Sequence, residues 1–519
     1  MHMLRRLASS IAFASVAALP AVACGQVPPE TRTAADTVPP PVPREFRAAW
    51  VASVGNIDWP SRPGLSTAEQ QREMIAILDK LAQLRMNAIV LQVRPAADAF
   101  YQSSIEPWSD FLTGEMGRAP DPFYDPLTFS TDEAHKRGIE MHVWINPYRA
   151  KHPASKSTSD NHIIRAQPHL VRRYGSMIWM DPGDPAVRAR TTSVVLDLVR
   201  RYDIDGVHMD DYFYPYPETE RGRELEFPDE STYGRYRQGG GTLARDDWRR
   251  ENVNQLVKEL NDSVHAVKPW VRFGISPFGI WRPGYPASVR GLDQHAKLYA
   301  DARKWFNEGW VDYFTPQLYW AVNRPEQRYD VLLKWWTEQN FKGRHLWPGN
   351  YTGKVGFTNA QAWLPDEIIE QIRLTRAQPG ATGNVHFNMK VFLDNPHQLN
   401  ERLMSEVYTG PALVPASPWL GRGVPPAPQI AVRDDSASGF WVLDVKPGSS
   451  TADSEGARAP WLWVVQSRTA GGWSTKVVPA AEQLHVLGAR TGAAPLDVLV
   501  TAIDRVGNAG PAARVAPVR

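Results

Sequence analysis

Cysteine is almost absent from this 519-residue chain, where Cys24 stands alone. One thiol excludes an intrachain disulfide framework and any Cys-based zinc site. Charge of one sign is lacking as well, since 58 Lys and Arg face 56 Asp and Glu for a net of +2. No basic excess exists to neutralise a phosphate backbone, so nucleic acid is not an expected partner. Neither an HExxH spacing nor a carboxylate–histidine cluster occurs, and no metal or other cofactor is expected. Long apolar runs are missing except at the start, where Leu7–Leu19 follows Arg5-Arg6 and precedes Ala21-Val22-Ala23. At ~13 residues that run is too short to span a bilayer, but basic start, apolar run and small-residue site have the order of an export signal.

What is abundant is aromatic: 20 Trp, 17 Tyr and 17 Phe. Flat, partly apolar rings stack on the CH faces of sugars, although large cores use them too. Cys24 directly after the 1–23 leader resembles the lipidated first residue of a bacterial lipoprotein, and Gly25 behind it favours the outer membrane. That resemblance implies a lipid anchor at Cys24 on the periplasmic face of that membrane, or else a periplasmic or secreted protein; a monomer is expected. Residues 24–43, rich in Pro and Thr, read as a tether reaching ~65 Å when stretched.

Apolar strand-like runs then alternate with helical runs. Strands are expected at 47–53, 88–94, 140–149, 206–213, 272–279, 312–320, 345–351 and 384–393. Among the helices, Ser66-Thr67-Ala68-Glu69 opens one with a capping box, and Asp184-Pro185 caps another. Eight strands each followed by a helix is the arithmetic of an α/β fold of the TIM (β/α)8 barrel type over 44–410. Long connections at 95–125, 150–183 and 214–243 follow strands two, three and four, on the face where such barrels do chemistry.

Alternation sorts the strand residues. Polar sets such as Gln92 with Arg94, His142 with Asn146, His208 with Asp210, and His386 with Asn388 oppose apolar sets including Val385 with Phe387. The apolar sets are expected against the helices and the polar sets in the lumen. Arg94, Asn146, Asp210, Gln317, Asn350 and Asn388 then stand at C-terminal strand ends, where an active site is lined. The three histidines, deeper down, read as hydrogen-bonded interior. The sharpest signal is Asp205-Gly206-Val207-His208-Met209-Asp210-Asp211-Tyr212. A carboxylate pair at a strand end suits general acid–base chemistry, because burial and a like neighbour keep one acid protonated near neutral pH. Asp210 points inward and is the expected acid; Asp211 is a second catalytic group or its orienter. Asp205, at the strand start, reads as structural.

The runs RAAWVASVGNIDWP (47–60), LQVRPAADAFY (91–101), HVWINPYR (142–149), DGVHMDDYFYP (205–215), SPFGIWRP (276–283), PQLYW (316–320) and NVHFNMK (384–390) together resemble glycosyl-hydrolase-like family ten, a family of exported bacterial proteins. The resemblance implies a TIM-barrel glycoside hydrolase whose substrate is a cell-wall polysaccharide, most specifically peptidoglycan strands denuded of stem peptides. It carries catalysis to Asp210 and Asp211, and cleft roles to Gln92, Arg94, Asn146, Tyr148, Arg149 and Tyr212. Gln317, Tyr319, Trp320, Asn350, Tyr351 and Asn388 join these as binding residues from their strand ends. A second carboxylate beyond the pair is sought among Asp58, Glu106, Asp110, Glu115, Asp181 and Glu218, and Asp58 is placed with the cleft residues. DGVHMD is also similar to the start of a chitinase-type strand motif, which opens substrate assistance by an N-acetyl group. Another polysaccharide, or noncatalytic glycan binding, remains the alternative.

Residues 411–424 read as a linker. From 425 to 519, short β-rich runs at 440–445, 461–467, 474–479, 484–487 and 497–504 suggest a small sandwich, and VTAIDRVGNAGP (500–511) is similar to the end of fibronectin type III-like modules.

Overall fold

A computed structural model describes residues 37–449, 459–492 and 494–515. The leader and Cys24 lie outside the described residues. From Pro41 onward the chain forms one unit. Its centre is a parallel sheet of TIM-like form. The strands are β1 (Phe46–Val51), β2 (Ala88–Arg94), β3 (Glu140–Ile145), β4 (Gly206–Met209), β5 (Arg272–Ile275), β6 (Tyr313–Phe314), β7 (His345–Leu346, resumed at Gly349–Asn350) and β8 (Gly383–His386). Each pairs in parallel with the next, and β8 pairs back to β1. β7 is interrupted at Trp347-Pro348, so its first half pairs with β6 and its second half with β8. Proline has no N–H to give a ladder, which accounts for the break.

The helices begin where local chemistry starts them. Ser66 and Glu69 close the capping box of Thr67–Gln83. Asp184 accepts from Ala186 N, with Pro185 at the first position of Pro185–Arg201. Val207, Met209, Leu91, Val143 and Ile145 face these helices in the main core, as alternation predicts. Inside the ring a second core holds Phe46, Ala48, Trp50, Ala88, Val90, Trp144, Tyr313, Trp347 and Val385. Phe46 stacks on Trp347 with ring centres 3.8 Å apart. Glycine makes room here: a Cβ on Gly206 would lie 2.3 Å from His142 Nδ1, and one on Gly274 2.1 Å from the Tyr313 ring.

Alternation fails on β7 and β8. Val385 enters the lumen with Phe387 packed beside it. Asn384 turns outward and donates to Asn350 Oδ1 at 2.8 Å, while Asn350 Nδ2 donates to Gln371 Oε1 at 2.7 Å. His386 meets Thr352 Oγ1 at 2.7 Å and Tyr408 Oη at 2.9 Å. The bulky lumen of Trp50, Tyr313 and Trp347 excludes water, so it takes the apolar side of these strands. Their polar side finds partners on the helices instead.

The C-terminal part forms two antiparallel sheets. β9 (Gln429–Asp435), β10 (Phe440–Lys446) and β13 (Leu484–Ala489) make one; β12 (Gly472–Pro479), β11 (Leu462–Thr469), β14 (Asp497–Ile503) and β15 (Ala513–Val515) make the other. Leu443 and Val445 share a core with Trp463, Val465, Val498 and Val500. Residues 411–424 are packed rather than free. Leu413 exchanges backbone hydrogen bonds with Pro43 and Glu45, and buried Ser417 Oγ meets Arg272 Nε at 3.1 Å and His345 Nε2 at 3.0 Å. The reason is that the N-terminal ends of the strands carry buried polar groups that need partners. Arg505 bonds Asp205 at 2.5 Å and also Asp203; His135 holds the other Asp205 oxygen at 2.9 Å beneath the Trp461 ring. The C-terminal sheets thus cover the N-terminal end of the barrel and leave the opposite face open. Asp205 is structural, as its place at the strand start implies.

Candidate active site

A cavity of about 310 Å³ opens at the C-terminal ends of the strands, lined by Trp50, Gln92, Trp144, Arg149, His152, Asp210, Asp211, Tyr212, Tyr216, Ser276, Gln317, Tyr319, Tyr351 and Phe387 among others. Among the described residues, Asp210 and Asp211 are the only carboxylates lining it. Both are 4% exposed. Asp210 continues the inward side of β4, and the strand ends at Met209, which frees Asp211 to turn into the same space.

Asp210 Oδ2 accepts from Trp144 Nε1 at 3.1 Å, and Asn146 Nδ2 reaches both its oxygens at 3.2 Å. Burial, then the negative charge of Asp211, pushes its pKa up to about 7 against the pull of Arg149 and these N–H donors. Asp211 is raised too, first by burial, but the Tyr216 hydroxyl and Gln317 hydrogen-bond it and hold its ionised form. Burial and the shared negative charge favour a proton on the pair near neutral pH, and the donors on Asp211 favour Asp210 as its seat. Arg149 lies 4.3 Å from the Tyr212 ring centre and supplies the cationic counterweight.

Below this floor runs a hydrogen-bonded chain. Trp50 Nε1 donates to His208 Nε2 at 3.1 Å. An indole N–H can only donate, so His208 Nε2 is an acceptor and its proton sits on Nδ1. Nδ1 is 3.1 Å from Tyr313 Oη, which is 3.0 Å from His142 Nδ1; His142 Nε2 reaches Glu140 at 3.0 Å. Burial, then His142, drives the His208 pKa well below its ordinary value, which makes it a neutral strut.

The expected cleft residues divide. Gln92, Arg149, Tyr212, Gln317, Tyr319 and Tyr351 line the cavity beside the acids. Gln92 Oε1 takes the N–H groups of Ser53 and Val54 at 3.0 and 2.9 Å, while its buried Nε2 has no partner among the described residues. Arg94 does not reach the cavity. A β-bulge after Gln92 sets it opposite Ile145 rather than Asn146, and it forms a fully buried fork with Glu106 at 2.6 and 2.7 Å. Its Nη1 bonds the Asn146 carbonyl, so Arg94 and Glu106 position the residue that bonds Asp210. Asn146 acts from behind, with Oδ1 on Arg149 N at 2.8 Å. Tyr148 is buried in the main core, and Asn350 belongs to the outward network already described.

Asp58 is a clamp. Its carboxylate accepts from Ala52 N, Asn388 Nδ2 and Lys390 N, each at 2.8 Å, and ties the exit of β1 to that of β8. Burial pushes its pKa up to about 7 against those bonds. Asn388 is thereby spent on the clamp, and Trp320 lines a neighbouring cavity instead. Of the other loop acids, Asp110 holds the 155–157 turn, Asp181 meets Arg172 at 2.9 Å and Glu115 pairs with Arg118, while Glu218 does not line the cavity. Tyr216, His152 and Phe387 are site residues that the alternation argument did not find. For Tyr216 the available signal was its place five residues after Asp211 in an aromatic run.

The sequence model of the Glycosyl hydrolase-like 10 family matches residues 45–364. Glycosyl hydrolase YngK of Bacillus subtilis is 42% identical over 407 residues, covering 76% of this chain and 78% of that one. Glycosyl hydrolase DigH of Escherichia coli K12 is 36% identical over 408 residues, covering 72% and 90%. Among solved structures, the PgaB (BpsB) glycoside hydrolase domain from Bordetella bronchiseptica overlays with a TM-score of 0.45 at 12% identity, covering 70% of this chain and 99% of that chain. On these sequence matches the chain belongs to the glycosyl hydrolase-like 10 family and is a glycoside hydrolase.

Proposed function

We propose that this hydrolase cleaves bacterial cell-wall glycan, specifically peptidoglycan strands denuded of stem peptides, with Asp210 as the proton donor. The observation that carries the reading is the buried Asp210–Asp211 pair in a cavity walled by Trp50, Trp144, Tyr319, Tyr351 and Phe387. Aromatic walls suit pyranose faces, and Arg149 suits an acidic substituent.

Glycosidases ordinarily flank the scissile bond with two carboxylates from different parts of the site. Here both acids come from one strand end and the facing wall is aromatic, which favours substrate assistance. Asp210 gives its proton to the leaving oxygen as the C1–O bond breaks. The carbonyl oxygen of the neighbouring N-acetyl group bonds C1, and ionised Asp211 stabilises the positive charge that develops on that amide. Water then attacks C1, the carbonyl oxygen departs, and the water's proton returns to Asp210.

The remaining features are proposed with it. The barrel is a closed (β/α)8 form, the C-terminal sheets are a fibronectin type III-like sandwich, and the protein is a monomer anchored through Cys24 to the periplasmic face of the outer membrane. The test incubates residues 25–519 with intact and amidase-stripped peptidoglycan, beside Asp210→Asn, with mass spectrometry of the soluble products. Fragments from stripped strands alone, absent with the variant, support the reading. Products only from another polysaccharide would overturn the substrate. Undiminished cleavage of de-N-acetylated strands would overturn the assistance step.

A further inference from the structure

A second cavity, of about 700 Å³, adjoins the first on the same face, between the loops that follow β6 and β7. Trp320, Arg324, Lys354 and Trp363 line it, together with Asp366 and Glu367. Lys354 joins the two spaces. Its Nζ donates to the Tyr319 carbonyl at 2.9 Å and lies 5.1 Å from the Tyr351 ring centre, both residues of the catalytic cavity. On its other side it sits 4.4 Å from the Trp363 ring centre. Beyond Trp363, Leu364 is 60% exposed, so an apolar platform continues outward.

The charges in this cavity are unequally engaged. Asp366 is bound by Arg402 through two contacts of 2.9 Å. Glu367 Oε1 is occupied by Val322 N and Gln371 Nε2, each at 2.8 Å. Arg324 is exposed and donates to Gln327 Oε1 at 3.3 Å; neither it nor Lys354 has a carboxylate within ion-pair distance among the described residues. Glu367 acts on Lys354 only from beyond ion-pair distance, so two indoles with two cations not closed into ion pairs match a sugar ring bearing a carboxylate.

We propose that this second cavity binds a carboxylate-bearing sugar of the substrate strand, away from the scissile bond, with Trp320 and Trp363 against the ring and Arg324 and Lys354 on the carboxylate. The inference rests on the glycan-hydrolase reading and adds a basis for selecting stripped strands. A stem peptide converts the lactyl carboxylate of its sugar into an amide, and removal of the peptide restores the charge.

The test uses the Asp210→Asn protein, in which turnover is strongly reduced, and measures affinity calorimetrically for stripped strands with native or chemically reduced carboxyl groups. Native strands are expected to bind about tenfold tighter, as one charge-assisted contact provides. Arg324→Gln added to Asp210→Asn removes most of that ratio, and Trp363→Ala weakens both strand types alike. Arg324 is exposed, so its variant keeps the fold, which an unchanged Tm verifies. An unchanged ratio with Arg324→Gln, or no binding of either strand, overturns the site. If native enzyme releases no product yet the Arg324-dependent ratio holds, the site stands and the substrate reading falls. Cleavage with an Arg324-independent ratio has the opposite meaning.

Discussion

Tyr216→Phe isolates the electrostatics of the acid pair. The hydroxyl donates to Asp211, and the ring packs against Tyr212 with centres 5.5 Å apart, a contact that phenylalanine preserves. A hydrogen bond to a charged acceptor is worth about 1.5–3 kcal/mol, and 1.36 kcal/mol corresponds to one pKa unit. Losing the bond should therefore raise the Asp211 pKa by about 1–2 units. In the proposed mechanism the working form has Asp210 protonated and Asp211 ionised. The hydroxyl stabilises that form and the doubly ionised form equally, because Asp211 is charged in both. Only the step that protonates Asp211 changes. In a profile of kcat/KM against pH, from reducing ends released from stripped glycan, the acid limb should move up by about 1–2 units while the alkaline limb stays. Movement of the alkaline limb, or of neither limb, would refute the assignment of the proton to Asp210.

Asp210→Asn cannot donate a proton, so kcat/KM should fall by roughly 10²–10⁴, with Tm retained. Glu106→Gln leaves Arg94 without an anion in a fully buried site; a stability loss of about 3–5 kcal/mol by denaturant titration, with a lower kcat as Asn146 loosens, is expected. Arg505→Ala breaks the contact of the C-terminal sheets with Asp205 and should cost about 3 kcal/mol while kcat stays the same. Burial opposes ionisation of Asp205, but Arg505 and His135 overcome it and hold its pKa far below the ordinary range; that stabilisation is present above pH ~4 and is lost on acidification. For His135, burial opposes the charge and Asp205 outweighs it, raising the pKa, so this contribution is full below pH ~6.5 and fades as pH rises through the folded value. In denaturation midpoints measured against pH, Arg505→Ala should weaken the acid-side trend of Asp205 while the His135 trend persists or grows, because Arg505 opposes the charge on His135; loss of the His135 trend in that variant would refute the pairing.

The sequence by itself determined the succession of strands and helices, the helix starts at Ser66 and Asp184, and the inward direction of Asp210, because periodicity and capping are local properties. Family motifs in the same string located Gln92, Arg149 and Tyr212 in the site. What alternation could not decide was which side of a strand the lumen would accept. The lumen is filled by aromatic rings from several distant strands, so β8 turns Val385 inward and sends His386 to the helices. A single bulge removes Arg94 from the cleft, and a bulge depends on how two neighbouring strands pair. Tyr216, Asp58 and Arg505 acquire their roles from partners brought close only by folding: a strand end, a loop some 330 residues away, and a buried acid at the floor of the barrel. Periodicity assigns a side chain to a face; the tertiary structure decides what stands opposite it, and for charged and hydroxyl groups that partner sets the chemistry.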